Sequence, residues 1–313
     1  FEGINFKLVN DNKFTLDDFY NLEVPDIETD SRNIRKGYLF FAIIGSRDDG
    51  HKYLIDAAAN GACAAVVSKI PPAESLKDIP VILVKDTLKV LNRISSHYFN
   101  YPSDDLEILG ITGTNGKTTT TYFIYSVLKH AGIKAGLIGT VKYIIDGEEF
   151  TARNTTPFAI ELQKILYQMR QKGDKVVVME VSSHALNEDR TYGIFFSGVG
   201  LTNLTQDHLD YHGSMENYAR VKATIFTRVR KGGYSVINID SDYSEYFLKY
   251  IHSVYSKYIT VSLLNPEACI FADEIKIEFS GTSFTIHYEG AVSYTHLRAH
   301  ETVLDLVCRL LLE

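Results

Sequence analysis

The stretch GITGTNGKTTT (Gly110–Thr120) constrains the fold of this chain more than any other feature. The apolar run LEILGIT leads into it, and TTTTYFIYSVLKHAG continues after it with the spacing of a helix. Gly113 and Gly116 let the backbone curl around an anion with its amide hydrogens pointing inward. The N-terminus of the following helix adds partial positive charge. A strand, a glycine loop and a helix in this order predict a site for the phosphates of a nucleotide.

In such a loop Lys117 reaches the β- and γ-phosphates, and Thr118 is placed to ligate Mg²⁺. Ile111 occupies the position of the first glycine in the usual G-x-x-x-x-G-K-[ST] pattern, so the match is a variant. The pattern alone also fits a glycine-rich turn with a solvated lysine. The strand, loop and helix together favour nucleotide binding. The predicted contacts are Gly113, Thr114, Asn115, Gly116, Lys117, Thr118 and Thr119.

Strand and helix patterns alternate after the loop. KAGLIGTVKYI (Lys134–Ile144), KVVVMEV, GVGLTNL and YSVINID have the composition of buried strands, and PFAIELQKILYQMRQKG has a helical pattern. This alternation predicts an α/β fold with a doubly wound, mostly parallel sheet, which binds ligands beyond the carboxyl ends of its strands. Residues 1–102 mix strands, such as LFFAII (Leu39–Ile44), with helices and lack a phosphate loop. We therefore expect one domain over 1–102 and a nucleotide-binding domain over 103–291, joined at the turn-rich YPSDD.

The composition excludes several classes of protein. A formal net charge of −7 argues against a nucleic-acid binder, which would usually be basic. No apolar run approaches the roughly 18 residues of a membrane span, and no basic-then-apolar leader is present. Cys63, Cys269 and Cys308 have neither metal-binding spacing nor an even number for disulfides. We expect a cytoplasmic monomer that binds small molecules, and neither nucleic acid nor membrane.

The C-terminal segment VSYTHLRAHETVLDLVCRLLLE (Val292–Glu313) resembles the translation of a sequencing-library adapter. Val292–Thr302 corresponds to a transposase adapter and Leu306–Glu313 to a flow-cell primer. The alternative is a genuine helix, because Leu304, Leu306, Val307 and Leu310 are apolar at helical spacing. We exclude this non-native tail from functional inference and expect the natural sequence to break off near Gly290.

Four residues with metal-binding chemistry follow the predicted strands. Glu180 ends KVVVME, His208 follows GVGLTNL, and Lys222 lies on a predicted helix. A carboxylate and an imidazole at strand ends could share a Mg²⁺ site with Thr118, and phosphoryl transfer needs such a cation. Because Mg²⁺ prefers oxygen ligands, His208 could equally be a hydrogen-bonded turn histidine. Lys222 alone could equally be a surface lysine.

The loop GTNGKTT is similar to the phosphate loop of the superfamily of Mur ligases and folylpolyglutamate synthases. The resemblance implies an ATP-dependent ligase that joins an amine to a carboxylate through an acyl phosphate. It also implies two Mg²⁺ sites at Thr118, Glu180, His208 and Lys222, with Lys222 carbamylated by CO₂. Lys117, His208 and Lys222 are the implied catalytic residues.

Further stretches resemble the Mur ligases that complete the tripeptide of the peptidoglycan stem. TDSR with DGH resembles the uridine-binding N-terminal domain, and NTTP with EVSSHAL resembles the loops that hold UDP-N-acetylmuramoyl-dipeptide. The resemblance implies substrate contacts by Ser31, Thr155, Thr156, Ser182 and Arg190. At position 188 the family often has glutamine, whereas this chain has Glu188, an acidic residue beside the expected anionic substrate.

The expected function is therefore addition of the third amino acid, L-lysine or meso-diaminopimelate, in bacterial peptidoglycan biosynthesis. The residues do not determine which amine is used. The resemblance also implies a C-terminal domain that this sequence lacks, so the fragment is expected to be inactive. A neighbouring Mur ligase, a folylpolyglutamate synthase or a plain NTPase module are the alternatives. The TDSR stretch argues against the folate enzyme, and an NTPase would leave NTTP and VSSHAL without a role.

Overall fold

The computed structural model describes residues 3–45, 48–72, 78–254, 257–278, 281–288 and 290–298. The chain divides into two compact units, Phe1–Tyr98 and Phe99–Glu313. The division falls a few residues before the linker expected at YPSDD, whose residues Pro102–Asp105 form one turn of 3-10 helix. Among the described residues, no helix combines the length and apolar character needed to cross a membrane.

The first unit is a five-stranded sheet with helices. Its elements are β1 (Phe6–Leu8), α1 (Leu16–Tyr20), β2 (Ile27–Glu28), β3 (Leu39–Phe41), α2 (Leu54–Ala59), β4 (Ala64–Val67), β5 (Val81–Val84) and α3 (Thr87–Tyr98). The strand order is β1-β5-β4-β3-β2, and only β1 runs antiparallel to its neighbour. The strand predicted over Leu39–Ile44 ends at Phe41, because the backbone then turns so that Gly50 N donates to Ile43 O at 2.9 Å.

The second unit contains a mixed sheet of eleven strands. The strands are β6 (Glu107–Thr112), β7 (Ala135–Ile138), β8 (Lys142–Ile145), β9 (Glu148–Thr151), β10 (Val176–Glu180), β11 (Phe196–Leu201), β12 (Val229–Asn238), β13 (Lys257–Ser262), β14 (Ile270–Glu278), β15 (Gly281–Tyr288) and β16 (Ala291–Arg298). The helices are α4 (Lys117–His130), α5 (Ala159–Lys172), α6 (Ser183–Asn187), α7 (Leu209–His212), α8 (Met215–Ala223) and α9 (Ser244–Ser253).

The centre of this sheet is parallel, as the sequence predicts. The strand order is β16-β15-β14-β13-β12-β11-β6-β10-β7-β8-β9, and the pairs from β14 to β7 are parallel. Antiparallel strands extend both edges. β6 lies between β10 and β11, so the carboxyl ends of these three strands meet at one edge. Most of their apolar residues are buried, and Val177 and Val178 completely so, which explains why these strands have continuous apolar sequences.

One predicted strand is wrong. Lys134–Ile144 forms two antiparallel strands, β7 and β8, because the chain reverses at Gly139 and Thr140. A side chain at position 139 would place its Cβ 2.6 Å from Glu180 Oε1, so any larger residue there would require this carboxylate to shift. Thr140 N then donates to Glu180 Oε1 at 2.8 Å. The hydrophobic pattern is continuous through this turn and gives no sign of it.

The tail that resembles an adapter is described in part. Its first residues lie in β16, which pairs antiparallel with β15 at the edge of the sheet. Val292 and Tyr294 are 65% and 71% exposed, so the strand adds little apolar burial. The alternative helix over Leu304–Leu310 lies outside the described residues.

Candidate active site

The glycine loop lies against the end of β11. Gly113 has a φ of +147°, and a Cβ there would lie 1.9 Å from Thr202 Oγ1. Only glycine allows this approach. Helix α4 begins directly after the loop at Lys117, so its first backbone N–H groups have no partner within the helix. The loop and helix form the predicted strand, loop and helix of a phosphate site.

Thr202 and Asn203 hold the loop from the neighbouring strand. Thr202 Oγ1 donates to Asn115 O at 2.6 Å, and Asn115 N donates to Asn203 Oδ1 at 3.0 Å. Thr114 N donates to Asn203 O at 3.0 Å. Two of the predicted phosphate contacts, Thr114 and Asn115, therefore use their N–H groups to maintain the loop. Thr120 N donates to Gly116 O at 3.0 Å, so the amides of Gly116 to Thr119 are the ones that remain for an anion in this part of the described chain.

Two lysine amines meet at one carbonyl oxygen of the loop. Lys117 Nζ donates to Gly113 O at 3.0 Å, and Lys222 Nζ donates to the same oxygen at 2.8 Å. Lys222 is only 1% exposed, and its Nζ lies 4.7 Å from the ring centroid of Tyr218. Among the described residues, neither lysine forms an ion pair with a carboxylate. The arrangement gathers positive charge where nucleotide phosphates are predicted.

Burial lowers the pKa of both amines. For Lys222 the pKa lies well below its usual value, first because the side chain is desolvated and then because Lys117 is a nearby like charge. For Lys117 desolvation again lowers the pKa, and Glu180 and Asp207 partly oppose it. A neutral buried amine is a nucleophile, and a ligand with negative charge would restore the protonated form.

Glu180 forms a second cluster of oxygens. Its side chain is fully buried at the end of β10. Thr118 Oγ1 and Thr140 Oγ1 each donate to Glu180 Oε2 at 3.0 Å. No cationic group of the described residues is in contact with this carboxylate. A buried carboxylate beside two hydroxyls is a set of hard oxygen donors that suits Mg²⁺.

His208 is not in contact with this cluster. The backbone of His208 is in the left-handed region, with a φ of 51°, directly before α7. The ring lies 3.4 Å from Asp207 Oδ2 and packs against the His184 ring at 4.9 Å. In the described part of the chain, no group of three or more His, Cys, Asp or Glu side chains is arranged to hold a metal ion. Of the four predicted metal ligands, only Thr118 and Glu180 touch each other.

The predicted substrate residues of NTTP and VSSHAL do come together. Thr156 Oγ1 donates to Glu180 O at 2.9 Å and accepts from Ser182 N at 3.0 Å. Thr155 Oγ1 lies 3.1 Å from Thr140 Oγ1, within hydrogen-bonding distance. Ser182 caps the N-terminus of α6, where its Oγ accepts a hydrogen bond from Ala185 N at 3.2 Å. These hydroxyls therefore lie beside the cluster of oxygens around Glu180.

Arg190 is the last of the predicted substrate residues, and it forms an ion pair with Glu188. Its Nε donates to Glu188 Oε2 at 2.8 Å, and its Nη1 donates to Thr156 O at 2.9 Å. The guanidinium also lies 4.2 Å from the ring centroid of Phe158. The departure at Glu188 thus has a structural consequence, since the carboxylate neutralises the predicted anion-binding arginine.

Ser31 lies in the other unit. It begins a 3-10 turn, Ser31–Asn33, which Asp30 caps through its side chain. Asn60 Nδ2 donates to Ser31 O at 2.9 Å. The Ser31 hydroxyl makes no hydrogen bond to any described residue, which leaves it available to a ligand.

The sequence reasoning missed Thr140, Asn203, His212 and Tyr218. Tyr218 precedes Lys222 by one helical turn, a spacing that brings side chains together and could have revealed it. Asn203 follows a predicted strand in the same way as His208. Thr140 lies in the unforeseen turn, and no pattern indicates its contact with Glu180.

Comparison with protein-family models gives two matches. The model of the Mur ligase middle domain matches residues 111–300. The model described as the Mur ligase family, catalytic domain, matches residues 23–99. Together they account for most of both units.

Comparison with curated proteins and solved structures agrees. The chain is 42% identical over 270 residues to UDP-N-acetylmuramoyl-L-alanyl-D-glutamate–2,6-diaminopimelate ligase of Clostridium tetani, covering 86% of this chain and 54% of that protein. The Aquifex aeolicus protein of the same name is 41% identical over 264 residues, covering 83% and 54%. A solved structure of a ligase of this name superposes with a TM-score of 0.75 at 24% identity, covering 92% and 59%. MurF of Thermotoga maritima in complex with ADP gives 0.61 at 19% identity, covering 94% and 64%. The chain spans about half the length of the curated relatives it matches.

Proposed function

Since the chain belongs to the Mur ligase family, we propose that the protein carrying it uses ATP to join an amino acid to UDP-N-acetylmuramoyl-L-alanyl-D-glutamate. The observation that supports this most is the meeting of Lys117 and Lys222 at Gly113 O, beside the buried carboxylate of Glu180. The names of relatives about 40% identical to the chain support this substrate. They favour diaminopimelate over L-lysine as the third residue.

ATP and Mg²⁺ fit the residues that the chain provides. The N-terminus of α4 and the Lys117 amine would hold the phosphates, since both supply uncompensated positive charge. Thr118 and Glu180 would hold Mg²⁺, because their oxygens are 3.0 Å apart and no other cation contacts the carboxylate among the described residues. Mg²⁺ would neutralise charge on the γ-phosphoryl oxygens.

We further propose that Lys222 carries a carbamate. Burial lowers the pKa of the Lys222 amine, which favours the neutral form that can add to CO₂. Addition forms a bond from Nζ to the carbon of CO₂, and the amine loses a proton. The product is an anion, which removes the like-charge contact with Lys117 and supplies oxygen ligands. His208 would have to turn toward the cluster to complete the metal site.

The dipeptide would lie along Thr155, Thr156, Ser182 and Arg190. These residues gather at the end of β10, the strand that pairs with β6, and β6 leads into the phosphate loop. Its terminal carboxylate would attack the γ-phosphoryl group and give an acyl phosphate. The amine of the third residue would then attack the acyl carbon, and phosphate would leave. The chain's residues act by holding the reactants together and by neutralising charge. We place uridine near Ser31, and propose a cytoplasmic monomer.

ATP turnover distinguishes this function from a plain NTPase. We expect the full-length protein to release phosphate from ATP only when UDP-N-acetylmuramoyl-dipeptide and the amino acid are both present. The controls omit each substrate in turn and replace the dipeptide by UDP alone. Phosphate release that is independent of the dipeptide would contradict the ligase and favour the NTPase.

We propose that the tail, 292–313, has no part in this function. Its described residues lie in the edge strand β16, where Val292 and Tyr294 are mostly exposed. A chain ending at Gly290 should bind UDP-N-acetylmuramoyl-dipeptide within about twofold of the chain as written, because surface changes rarely exceed about 0.5 kcal/mol. Isothermal titration of both chains measures this.

A further inference from the structure

A stack of aromatic rings connects the substrate loop to the phosphate loop. We propose that His212 is a positioning residue that couples occupancy of the dipeptide site to the phosphate loop and Lys222, through the hydroxyl and the ring of Tyr218. The inference rests on the proposed function, because it assumes that the two loops bind the two substrates. The connecting residues, Ser183, His212 and Tyr218, make no predicted contact with either ligand, and the path ends on Thr114 and Lys222 at the phosphate side.

On one side His212 holds the start of α6. The residue is 5% exposed at the end of α7, and its Nε2 lies 2.9 Å from Ser183 Oγ. Ser183 is itself 2% exposed and follows Ser182, the residue proposed to contact the dipeptide. A movement of the VSSHAL loop on binding would therefore move the imidazole.

On the other side His212 packs on Tyr218. The ring centroids are 4.9 Å apart with an interplanar angle of 34°. Tyr218 is 1% exposed, and its hydroxyl lies 3.3 Å from Thr114 Oγ1 in the phosphate loop. The face of the same ring lies 4.7 Å from Lys222 Nζ. One ring thus contacts both the loop and the amine.

The backbone around His212 leaves little freedom. Asn217 Nδ2 donates to His212 O at 2.8 Å, and His212 N donates to His208 O at 2.9 Å. Buried side chains packed this closely move together, since interiors have few voids to absorb a shift. The contacts from Ser183 to His212, from His212 to Tyr218 and from Tyr218 to Thr114 therefore form a series, in which a shift at one contact alters the next.

The test compares the binding of two ligands to the full-length protein. The affinity for a non-hydrolysable ATP analogue with Mg²⁺ is measured by calorimetry, with and without UDP-N-acetylmuramoyl-dipeptide. The ratio of the two dissociation constants is the coupling between the sites, and we expect about fivefold to tenfold tighter binding with dipeptide. His212→Gln keeps a hydrogen-bonding amide but removes the ring. It should bring the ratio to about one while each ligand alone binds within about twofold of wild type.

Two further variants interrupt the series at its ends and keep the histidine. Ser183→Ala removes the first hydrogen bond, and Tyr218→Phe removes the last while keeping both ring contacts. Each should reduce the ratio, and the double variant should be no worse than the more severe single, because contacts in series are not additive. His252→Gln, on the exposed face of α9, is the matched control and should leave the ratio unchanged.

The outcomes separate the two proposals. If wild type binds both ligands with a ratio of one, or if the losses in the double variant multiply, the coupling role is wrong and the proposed function stands. If His212→Gln weakens both ligands equally and keeps the ratio, the residue is merely structural and the inference is wrong. If wild type does not bind the dipeptide at all, the proposed function has failed and the coupling with it.

Discussion

The two halves of the candidate site treat charge in opposite ways. At the phosphate loop, Lys117 and Lys222 share one carbonyl oxygen, and neither is paired with a carboxylate of the described chain. At the dipeptide loop, Arg190 is held by Glu188 and by the carbonyl of Thr156. Without a ligand or a carbamate, one half leaves its two amines without a carboxylate partner among the described residues, whereas the other neutralises its cation within the protein.

The difference indicates what each half requires from a ligand. Buried charge without a partner is costly, so the phosphate half should be stabilised by whatever anion it binds. The dipeptide half is already satisfied, so its hydroxyls and arginine form a preorganised surface whose contribution to affinity is smaller. Residues of the first half should therefore have large effects on turnover, and those of the second should adjust affinity.

The largest effect should come from Lys117. In the full-length enzyme Lys117→Ala should lower turnover by a factor of about 10²–10³, the usual cost of losing one aimed donor to developing negative charge. Steady-state phosphate release measures it. Lys129→Ala, in the exposed last turn of α4, is the matched control. Near-normal turnover in Lys117→Ala would remove the assignment of the phosphate loop.

Lys222→Ala should also nearly abolish turnover, while UDP-N-acetylmuramoyl-dipeptide binds almost normally, because the amine lies on the phosphate side. A short carboxylic acid such as formate should restore part of the activity by supplying the missing anion to the vacated space. Lys249→Ala, at an exposed position of α9, should neither lower turnover nor respond to formate. Unaltered turnover in Lys222→Ala would contradict both the carbamate and the comparison between the halves.

A smaller effect concerns stability and pH. Burial lowers the folded-state pKa of Lys222 below its unfolded value near 10.5, so the unfolded chain binds more protons between the two values. The stability of the free chain should therefore rise as pH increases through the folded pKa toward 10.5. In CO₂-depleted buffer, Lys222→Met should reduce this rise in urea midpoints between pH 7 and 9. If the urea midpoint rises equally in wild type and variant, the buried Lys222 amine makes no contribution to the pH dependence of stability.

The smallest effect belongs to the dipeptide half. Glu188→Gln keeps an acceptor for Arg190 Nε but removes the negative charge, so the guanidinium should attract the anionic substrate more strongly. We expect the dissociation constant of UDP-N-acetylmuramoyl-dipeptide to fall about threefold, a change of less than about 1 kcal/mol for a partly exposed pair. Titration calorimetry measures this change, with Glu245→Gln at an exposed position of α9 as the control. Weaker binding would mean that Glu188 itself contacts the substrate.

The parts of the site that the sequence predicts are those within single elements. The strand, loop and helix around Gly113 follow from local pattern, as do the positions of Glu180 at a strand end and Lys222 on a helix. The parallel sheet follows from the alternation of apolar runs, and it brings β6, β10 and β11 together.

The remaining features depend on contacts between elements. The reversal at Gly139 lies against the carboxylate of Glu180, which is distant in the sequence, while the local apolar run is unbroken. Nothing local indicates that Thr114 and Asn115 would use their amides on Asn203. Likewise, the pairing of Lys117 with Lys222 and the distance of His208 from Glu180 arise only when the strands assemble.

The most direct test of the account follows oxygen from substrate to product. The terminal carboxylate of UDP-N-acetylmuramoyl-L-alanyl-D-glutamate is labelled with ¹⁸O, and the full-length enzyme is given ATP and diaminopimelate. If the carboxylate attacks the γ-phosphoryl group, one labelled oxygen must appear in each phosphate released, as mass spectrometry would detect. Phosphate that carries no label from the substrate, or that takes its new oxygen from ¹⁸O-water, would contradict the acyl phosphate and with it the proposed ligase.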